Sequence, residues 1–215
     1  MKIKCLCHAA FLITSENGTI IVTDPYKSGG DLKYSEFKGH ADIVTVSHEH
    51  RDHNYTVGIT GNPRILKGAG TTVVKGITFT GVAAFHDENQ GRERGQNTVF
   101  CFTVDGVRIC HLGDLGHKLT VQESTAVGPV DVLMSPVGGT WAIDAGTAGE
   151  VAKQLKAKVI IPMHFKNEKC DYPIAVVEDF LKGKKNVTLS ETSEIEFKTG
   201  KFPSETQIIV LKPAL

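Results

Sequence analysis

The sequence lacks an excess of charge of either sign. Its 215 residues include 24 Lys and Arg and 24 Asp and Glu, so the formal net charge is zero. A neutral chain has no overall electrostatic attraction for the phosphate backbone of nucleic acid or for an anionic membrane surface. The charge balance therefore argues against nucleic acids and membranes as partners.

Long apolar runs and a regular cysteine pattern are also missing. No run approaches the roughly 20 apolar residues that a membrane span needs. The apolar opening MKIKCLCHAAFLIT resembles a signal peptide, but His8 interrupts it and no polar cleavage region follows, so we predict a strand. The five cysteines are odd in number and scattered, which argues against a disulfide framework and favours a reducing, cytoplasmic location.

No repeat, low-complexity tract or linker divides the chain, which predicts one α/β domain over residues 1–215. The dipeptides at 17–18 and 105–106 are Asn-Gly and Asp-Gly between apolar runs, and they predict β-hairpins. Apolar segments at 131–134 and 159–161 flank a predicted helix from about Thr147 to Lys156, with Thr147 in a capping box or Asp144 as the cap. This order indicates a βαβ unit. A further helix is predicted from Pro173 to about Gly183.

Histidine, by contrast, is plentiful, with nine residues. The apolar run 43–46 leads directly into His48, His50, Asp52 and His53. These side chains could belong to an ordinary polar loop, but their spacing is dense enough that a bound cation explains it better. His48 and His50 can point the same way from an extended segment, while Asp52 and His53, turning into a following helix, can face a second ion. The segment therefore predicts a metal site.

This HxHxDH pattern resembles that of the metallo-β-lactamase superfamily. The resemblance implies an αββα sandwich with two metal ions at the strand ends. It also implies that Asp24 hydrogen-bonds the metal loop, that His86 and His164 are metal ligands, and that Asp114 bridges the ions. The subgroup that the chain is most similar to contains the short ascorbate-6-phosphate-lactonase-like and phosphodiesterase-like hydrolases.

The positions of these residues provide an independent argument. Each of five residues lies at or just beyond the end of an apolar run: Asp24, His48, His86, Asp114 and His164. In open α/β sheets, sites form beyond the carboxyl ends of strands. Taken singly, the histidines could be core residues and Asp114 a turn residue, but together they favour a site.

The resemblance assigns two divalent ions, for which zinc is expected, with manganese or iron as alternatives. The ligands expected at the first ion are His48, His50, His86 and Asp114. Those expected at the second ion are Asp52, His53, Asp114 and His164. A hydroxide shared by the ions is the predicted nucleophile, and Asp52 is the predicted catalytic residue that orients it and moves a proton.

Other polar residues are weaker candidates for supporting the ligands or contacting substrate. They are His8, Asp24, Arg94, Asn97 and His117. Arg94 suits an anionic group through its bidentate fork. His111 shares strand parity with apolar neighbours and is predicted to be a hydrogen-bonded core histidine. Trp141 is predicted to stack on substrate or to pack in the core.

These observations predict a metal-dependent hydrolase of a small ester, lactone or phosphodiester. Asp114 stands where the antibiotic-hydrolysing branch of the resembled family carries cysteine, which disfavours β-lactams as substrates. The alternative is a non-catalytic metal-binding sensor or scaffold of the same fold. A small-molecule substrate is the expected partner, and the sequence leaves open whether the chain also forms a homo-oligomer.

Overall fold

Two β-sheets packed face to face form the centre of the molecule. The structure is a computed structural model and describes residues 1–215. The strands in chain order are β1 (Lys2–Cys7), β2 (Ala10–Thr14), β3 (Ile20–Thr23), β4 (Ile43–Val46), β5 (Arg64–Lys67), β6 (Gly70–Val74), β7 (Ile77–Phe85), β8 (Gln96–Val104), β9 (Val107–His111), β10 (Val132–Pro136), β11 (Val159–Met163), β12 (Val187–Leu189), β13 (Glu194–Glu196) and β14 (Gln207–Val210). The helices are α1 (Val121–Val127), α2 (Ala145–Gln154) and α3 (Val177–Leu181).

The first sheet has the strand order β13-β1-β2-β3-β4-β5, and the second has the order β12-β14-β11-β10-β9-β8-β7-β6. Side chains from both sheets fill the space between them, including Phe11 and Ile43 from the first and Phe79 and Ile109 from the second. These side chains are almost fully buried because successive residues of a strand alternate between the core and the outer face. The two predicted hairpins are confirmed as the antiparallel pairs β2–β3 and β8–β9.

The outer faces of the two sheets are covered differently. The three helices cover the second sheet and bury Val127, Val151 and Phe180 against it. Loop residues such as Tyr34 and Cys170 cover the first sheet instead. The predicted sandwich is thus confirmed, with loops as its fourth layer. The covering segment 25–42 is rich in glycine and polar residues and has no apolar repeat of helical period, which explains why no helix forms there.

Several predicted elements differ from the structure. The opening segment is two antiparallel strands, β1 and β2, with a turn at His8 and a register shift between Cys5 and Cys7. The turn was missed because apolar residues continue through it and hide the change of direction.

The helices also begin and end differently from the prediction. Asp144, and not Thr147, caps α2, since its carboxylate accepts a hydrogen bond from the backbone N–H of Thr147 at 2.8 Å. The helix predicted from Pro173 forms only over Val177–Leu181. No helix follows Asp52 and His53, where the chain makes a turn. None of the helices is long and apolar enough to cross a membrane.

The strand directions bring the candidate residues to one edge of the sandwich. Strand β4 runs parallel to β3, and β1 has the same direction because it is two antiparallel steps away from β3. In the second sheet β9, β10 and β11 are parallel, and β7 shares their direction through β8. The residues that follow these strands therefore meet, which is the location the sequence predicted.

Gly116 offers a test of how tightly this edge is packed. A Cβ at Gly116 would lie 2.2 Å from the backbone nitrogen of Asp87 and from the carbonyl carbon of His86, so we expect Gly116→Ala to reduce the free energy of unfolding by about 1–3 kcal/mol. Gly146→Ala is the control, because its Cβ would lie 3.5 Å from Oδ1 of Asp144, which is an ordinary van der Waals contact. Thermal unfolding of the metal-free variants measures both. Equal melting temperatures would show that the edge can relax.

Candidate metal centre

The loop after β4 is held in place by the carboxylate of Asp24. This carboxylate accepts hydrogen bonds from the backbone N–H of Ser47 at 2.8 Å and from the Ser47 hydroxyl, and it is 2.8 Å from Nδ1 of His53. Asp24 is fully buried at the end of β3. The hydrogen bond to His53 fixes the orientation of the imidazole and leaves its Nε2 facing the centre.

The first group of metal-ligand side chains comprises His48, His50 and His86, whose donor atoms lie within 4.8 Å of one another. Nε2 of His48 is 3.1 Å from Nδ1 of His50. Two imidazole nitrogens bound to one zinc ion at the usual Zn–N length of about 2.05 Å are about 3.3 Å apart. The observed spacing suits a shared ion.

The second group comprises His8, Asp52, His53 and His164, again with donor atoms within 4.8 Å of one another. His8 follows β1, His164 follows β11, and the other two residues belong to the loop after β4. Three separate chain segments thus bring nitrogen and oxygen donors to one point. This donor set is typical of divalent transition-metal sites.

Asp114 lies between the two groups. Its Oδ2 is 3.2 Å from Nε2 of His53, 3.2 Å from Nε2 of His164, 3.4 Å from Nε2 of His86 and 3.9 Å from Nε2 of His48. One carboxylate oxygen therefore faces imidazoles of both groups. That arrangement is suited to a carboxylate shared by two ions.

Unsatisfied polar atoms test whether these residues suit a metal. Nine buried side-chain nitrogen and oxygen atoms have no hydrogen-bond partner in the structure. All but Thr45 Oγ1 and Gln154 Oε1 belong to this centre, on His8, His53, His86, Asp114 and His164. Each unpaired buried polar atom costs about 1–3 kcal/mol, so their concentration at one point calls for a ligand. The residues fit bound metal.

The protonation states also favour metal binding. Burial lowers the pKa of His48 to about 3 and that of His8 to about 4, so both rings are neutral at pH 7. A neutral imidazole has a free lone pair for a metal. Burial alone would lower the pKa of His53, but the carboxylates of Asp114 and Asp52 outweigh it and raise that pKa well above its ordinary value. Without a metal this ring therefore holds a proton, and a bound cation would displace that proton and supply the positive charge that the carboxylates favour. Despite its burial, Asp114 has a pKa far below the usual range because His164 and His53 are close.

A cavity of about 290 Å³ opens onto this centre and is lined by His50, Asp52, Arg94, Trp141 and Tyr172, among others. The rings of Trp141 and Tyr172 meet edge to face with centroids 4.9 Å apart. A second cavity of about 330 Å³ shares Arg94 and Trp141 with the first. The combined space suits a small molecule.

The weaker candidates have different locations. Asn97 lies behind Asp114: its Oδ1 accepts from the Asp114 backbone N–H at 3.0 Å, and its Nδ2 donates to Leu112 at 2.9 Å. His117 lies apart from the two groups, where its Nε2 accepts from the backbone N–H of Phe85 at 3.2 Å. His111 is fully buried and hydrogen-bonds the carbonyl of Ala9 at 2.8 Å, which is the core role predicted for it.

Sequence reasoning missed three residues that shape the centre. Besides bonding Asp24, Ser47 places its hydroxyl 2.9 Å from Nδ1 of His48. The carboxylate of Asp87 accepts four backbone N–H hydrogen bonds and so holds the loop that carries Arg94. The turn-forming run Asp-Glu-Asn-Gln-Gly could have indicated Asp87, whereas nothing local indicates that Tyr172 reaches the cavity.

Comparison with known proteins gives a consistent family assignment. The family model described as "Beta-lactamase superfamily domain" matches residues 2–164. A metal-dependent hydrolase from Pyrococcus abyssi is 29% identical over 196 residues, covering 77% of this chain and 84% of that protein. A metal-dependent hydrolase from Methanoculleus marisnigri is 30% identical and covers 77% of this chain and 81% of its own length.

A solved structure extends the similarity over almost the whole chain. The crystal structure of a Thermotoga maritima protein, assigned as a zinc-dependent hydrolase of the metallo-β-lactamase superfamily, is 38% identical. It superposes with a TM-score of 0.82 over 98% of this chain and 97% of that one. Together with the two ligand groups at the strand ends, these matches show that the chain belongs to the metallo-β-lactamase superfamily, in a group of proteins named as metal-dependent hydrolases.

Proposed function

We propose that the protein is a hydrolase that uses two divalent metal ions to cleave a small ester, lactone or phosphodiester. The observation that carries the proposal is the carboxylate of Asp114 between two groups of ligand side chains, beside an open cavity. When bound, two such ions lower the pKa of a coordinated water toward neutrality and stabilise negative charge that develops on the substrate. The relatives named as metal-dependent hydrolases support this reaction class.

The proposed ligands follow the two groups. His48, His50 and His86 with Asp114 hold the first ion, and Asp52, His53 and His164 with Asp114 hold the second. Imidazole and carboxylate donors suit zinc, manganese and iron. Zinc is proposed because the similar Thermotoga maritima protein is described as zinc-dependent.

Asp52 is proposed to orient the nucleophile. Its side chain is 14% exposed and lines the cavity, so it can reach both a metal and an entering molecule. Although burial opposes it, the charge of His53 holds the pKa of Asp52 below its ordinary value. The carboxylate is therefore ionised at neutral pH, and its oxygens accept a hydrogen bond from the nucleophile.

Three further residues are proposed to bind substrate. The Arg94 guanidinium is engaged only by Glu93, at 4.0 Å, and so it can pair with an anionic or polar substrate group. Trp141 and Tyr172 form an aromatic wall that excludes water from one side of the cavity. Burial raises the pKa of Tyr172, so its phenol remains a hydrogen-bond donor at neutral pH.

The alternative function, a metal-binding sensor or scaffold, needs no cavity beside the metal centre. The open space bounded by Asp52 and Arg94 therefore favours an enzyme. Turnover assays of the metal-loaded protein on phosphodiester, lactone and ester substrates decide between the two. Hydrolysis of none of these classes, with both ions present, would favour the sensor.

The proposed function predicts the metal content. We expect about two ions per chain after loading with excess zinc or manganese, measured by elemental analysis. Asp114→Ala should lose both ions, because the one carboxylate contacts both ligand groups. His111→Asn should keep both, because His111 is equally buried but bonds the backbone of Ala9. Saturation of the native chain at one ion, or retention of both ions by Asp114→Ala, would contradict the dinuclear assignment.

The proposed function also predicts the source of the nucleophile. All five cysteines are buried, and burial raises the pKa of Cys5 to about 12, so no reactive thiolate is expected. Asp52→Asn should lower turnover by on the order of 100-fold. Asp131→Asn is the control and should leave turnover within a few fold, because Asp131 precedes β10 and so lies at the end of that strand away from the metal centre.

Turnover in heavy-oxygen water shows whether the nucleophile comes from solvent or from a protein side chain. In a single turnover, the label should enter the product directly, because the attacking oxygen comes from solvent. Alkylation of the native, metal-loaded protein with iodoacetamide should not reduce the rate. A covalent adduct between protein and substrate, trapped on a cysteine or serine, would rule out this mechanism.

A further inference from the structure

His8 is a buried histidine for which the family resemblance provides no ligand role. Its side chain has no exposed surface, and neither ring nitrogen has a hydrogen-bond partner. The ring lies beside the second ligand group, with its centroid 4.2 Å from that of His164 and 5.4 Å from that of His53. Its Nε2 is 3.4 Å from Oδ2 of Asp52.

His111 shows how a structural histidine is accommodated in this protein. It is equally buried, but its Nε2 bonds the carbonyl of Ala9 at 2.8 Å and its Nδ1 accepts from the N–H of Gly113 at 3.2 Å. Both of its nitrogens are satisfied by the protein. His8 has the same degree of burial without either partner, so a purely structural role leaves its polar atoms unexplained.

The backbone at His8 also indicates that the position of the side chain matters. His8 has φ of 51°, in the left-handed region that favours glycine or asparagine. The conformation is held from outside, because the N–H of His164 donates to the carbonyl of His8 at 3.1 Å. Strained backbone of this kind concentrates at functional sites. Here it places the imidazole against Asp52 and His164.

A role in contacting substrate suits His8 poorly, because its side chain has no exposed surface and does not line the cavity. Its donor atom instead lies within 4.8 Å of the donors of Asp52, His53 and His164. The nearest partner available to His8 is therefore a metal ion bound by those three side chains.

We propose that His8 is a protein ligand of the second ion, an assignment that rests on the two-metal function proposed above. The second ion then has five protein donors, from His8, Asp52, His53, His164 and the shared Asp114. The first ion has four. Five nitrogen and oxygen donors give the second ion a coordination number of at least five, which zinc, manganese and iron can all adopt. The two positions therefore differ in the number of protein donors and in their affinity for the same metal.

The test uses cobalt(II), whose visible absorption reports the coordination number, together with metal titration of the full chain. In His8→Asn, which tolerates the left-handed backbone, we expect the affinity for the second ion to fall at least tenfold. The affinity for the first ion should be unchanged, and the cobalt absorption of the second site should intensify as the coordination number drops. His111→Asn is the matched control and should retain the native spectrum and both affinities.

His8→Gly provides a second variant, because glycine adopts this φ without strain and leaves room for a free imidazole. Added imidazole should restore the affinity for the second ion in His8→Gly and have no such effect on His111→Asn. The melting temperatures of the metal-free variants show that each one folds. An unchanged cobalt spectrum and unchanged affinity for the second ion in both His8 variants would overturn the proposal.

The same titration separates this proposal from the proposed function. If the native chain binds two ions and the His8 variants bind them equally well, the His8 assignment alone is wrong. If the native chain binds one ion, the dinuclear function is wrong. The His8 assignment then stands if that ion's cobalt spectrum changes in His8→Asn, and fails if it does not.

Discussion

One buried carboxylate oxygen, Oδ2 of Asp114, has the Nε2 atoms of four histidines within 3.9 Å. Without a cation, this arrangement keeps polar atoms away from water and leaves several of them unpaired, at a cost of about 1–3 kcal/mol for each. Metal binding converts that cost into a contribution to folding, because the preformed donors exist only in the native state. Neighbouring residues of the centre hold these histidines and Asp114 close together.

Residues outside the ligand set provide much of that support. Asp24 links the loop after β4 to His53, Ser47 orients His48, and Asn97 fixes the backbone of Asp114. Asp24, His8 and His164 all have positive φ, at 37°, 51° and 52°. Backbone strain at these three residues indicates that the positions of their side chains at the centre matter more than the local stability of the backbone.

The convergence of the candidate ligands could be predicted from the sequence for two physical reasons. His48, His50, Asp52 and His53 are close along the chain, and His86, Asp114 and His164 each follow an apolar run whose strand ends at the same edge. The proximity of His8 to the second group was harder to predict, because it depends on a turn inside an apolar segment and on the register of β1 against β2.

Other features depend on packing that no local pattern reveals. Tyr172 reaches the cavity only because segment 165–175 packs against residues 29–34, as in the hydrogen bond from the backbone N–H of Lys33 to the carbonyl of Lys169 at 2.8 Å. The helix predicted from Pro173 fails to form there for a related reason, because Ala175 is bonded to other segments: its carbonyl accepts from the N–H of Lys166 at 2.9 Å, and its N–H donates to the carbonyl of Gly138 at 2.8 Å. Tertiary contacts override the helix-start signal of proline.

The loop layer over the first sheet has an evolutionary consequence. Segment 165–175 buries Cys170 and Ile174 against that sheet and also presents Tyr172 to the cavity. A change of length or sequence there alters the shape of the cavity while the ligand-bearing strand ends stay in place. The same change disturbs a buried cluster, so a new substrate preference acquired through this segment carries a loss of stability. Changes of specificity through this segment are therefore limited by how far the free energy of unfolding, supplied by the two-sheet core and the metal centre, exceeds the minimum that function requires.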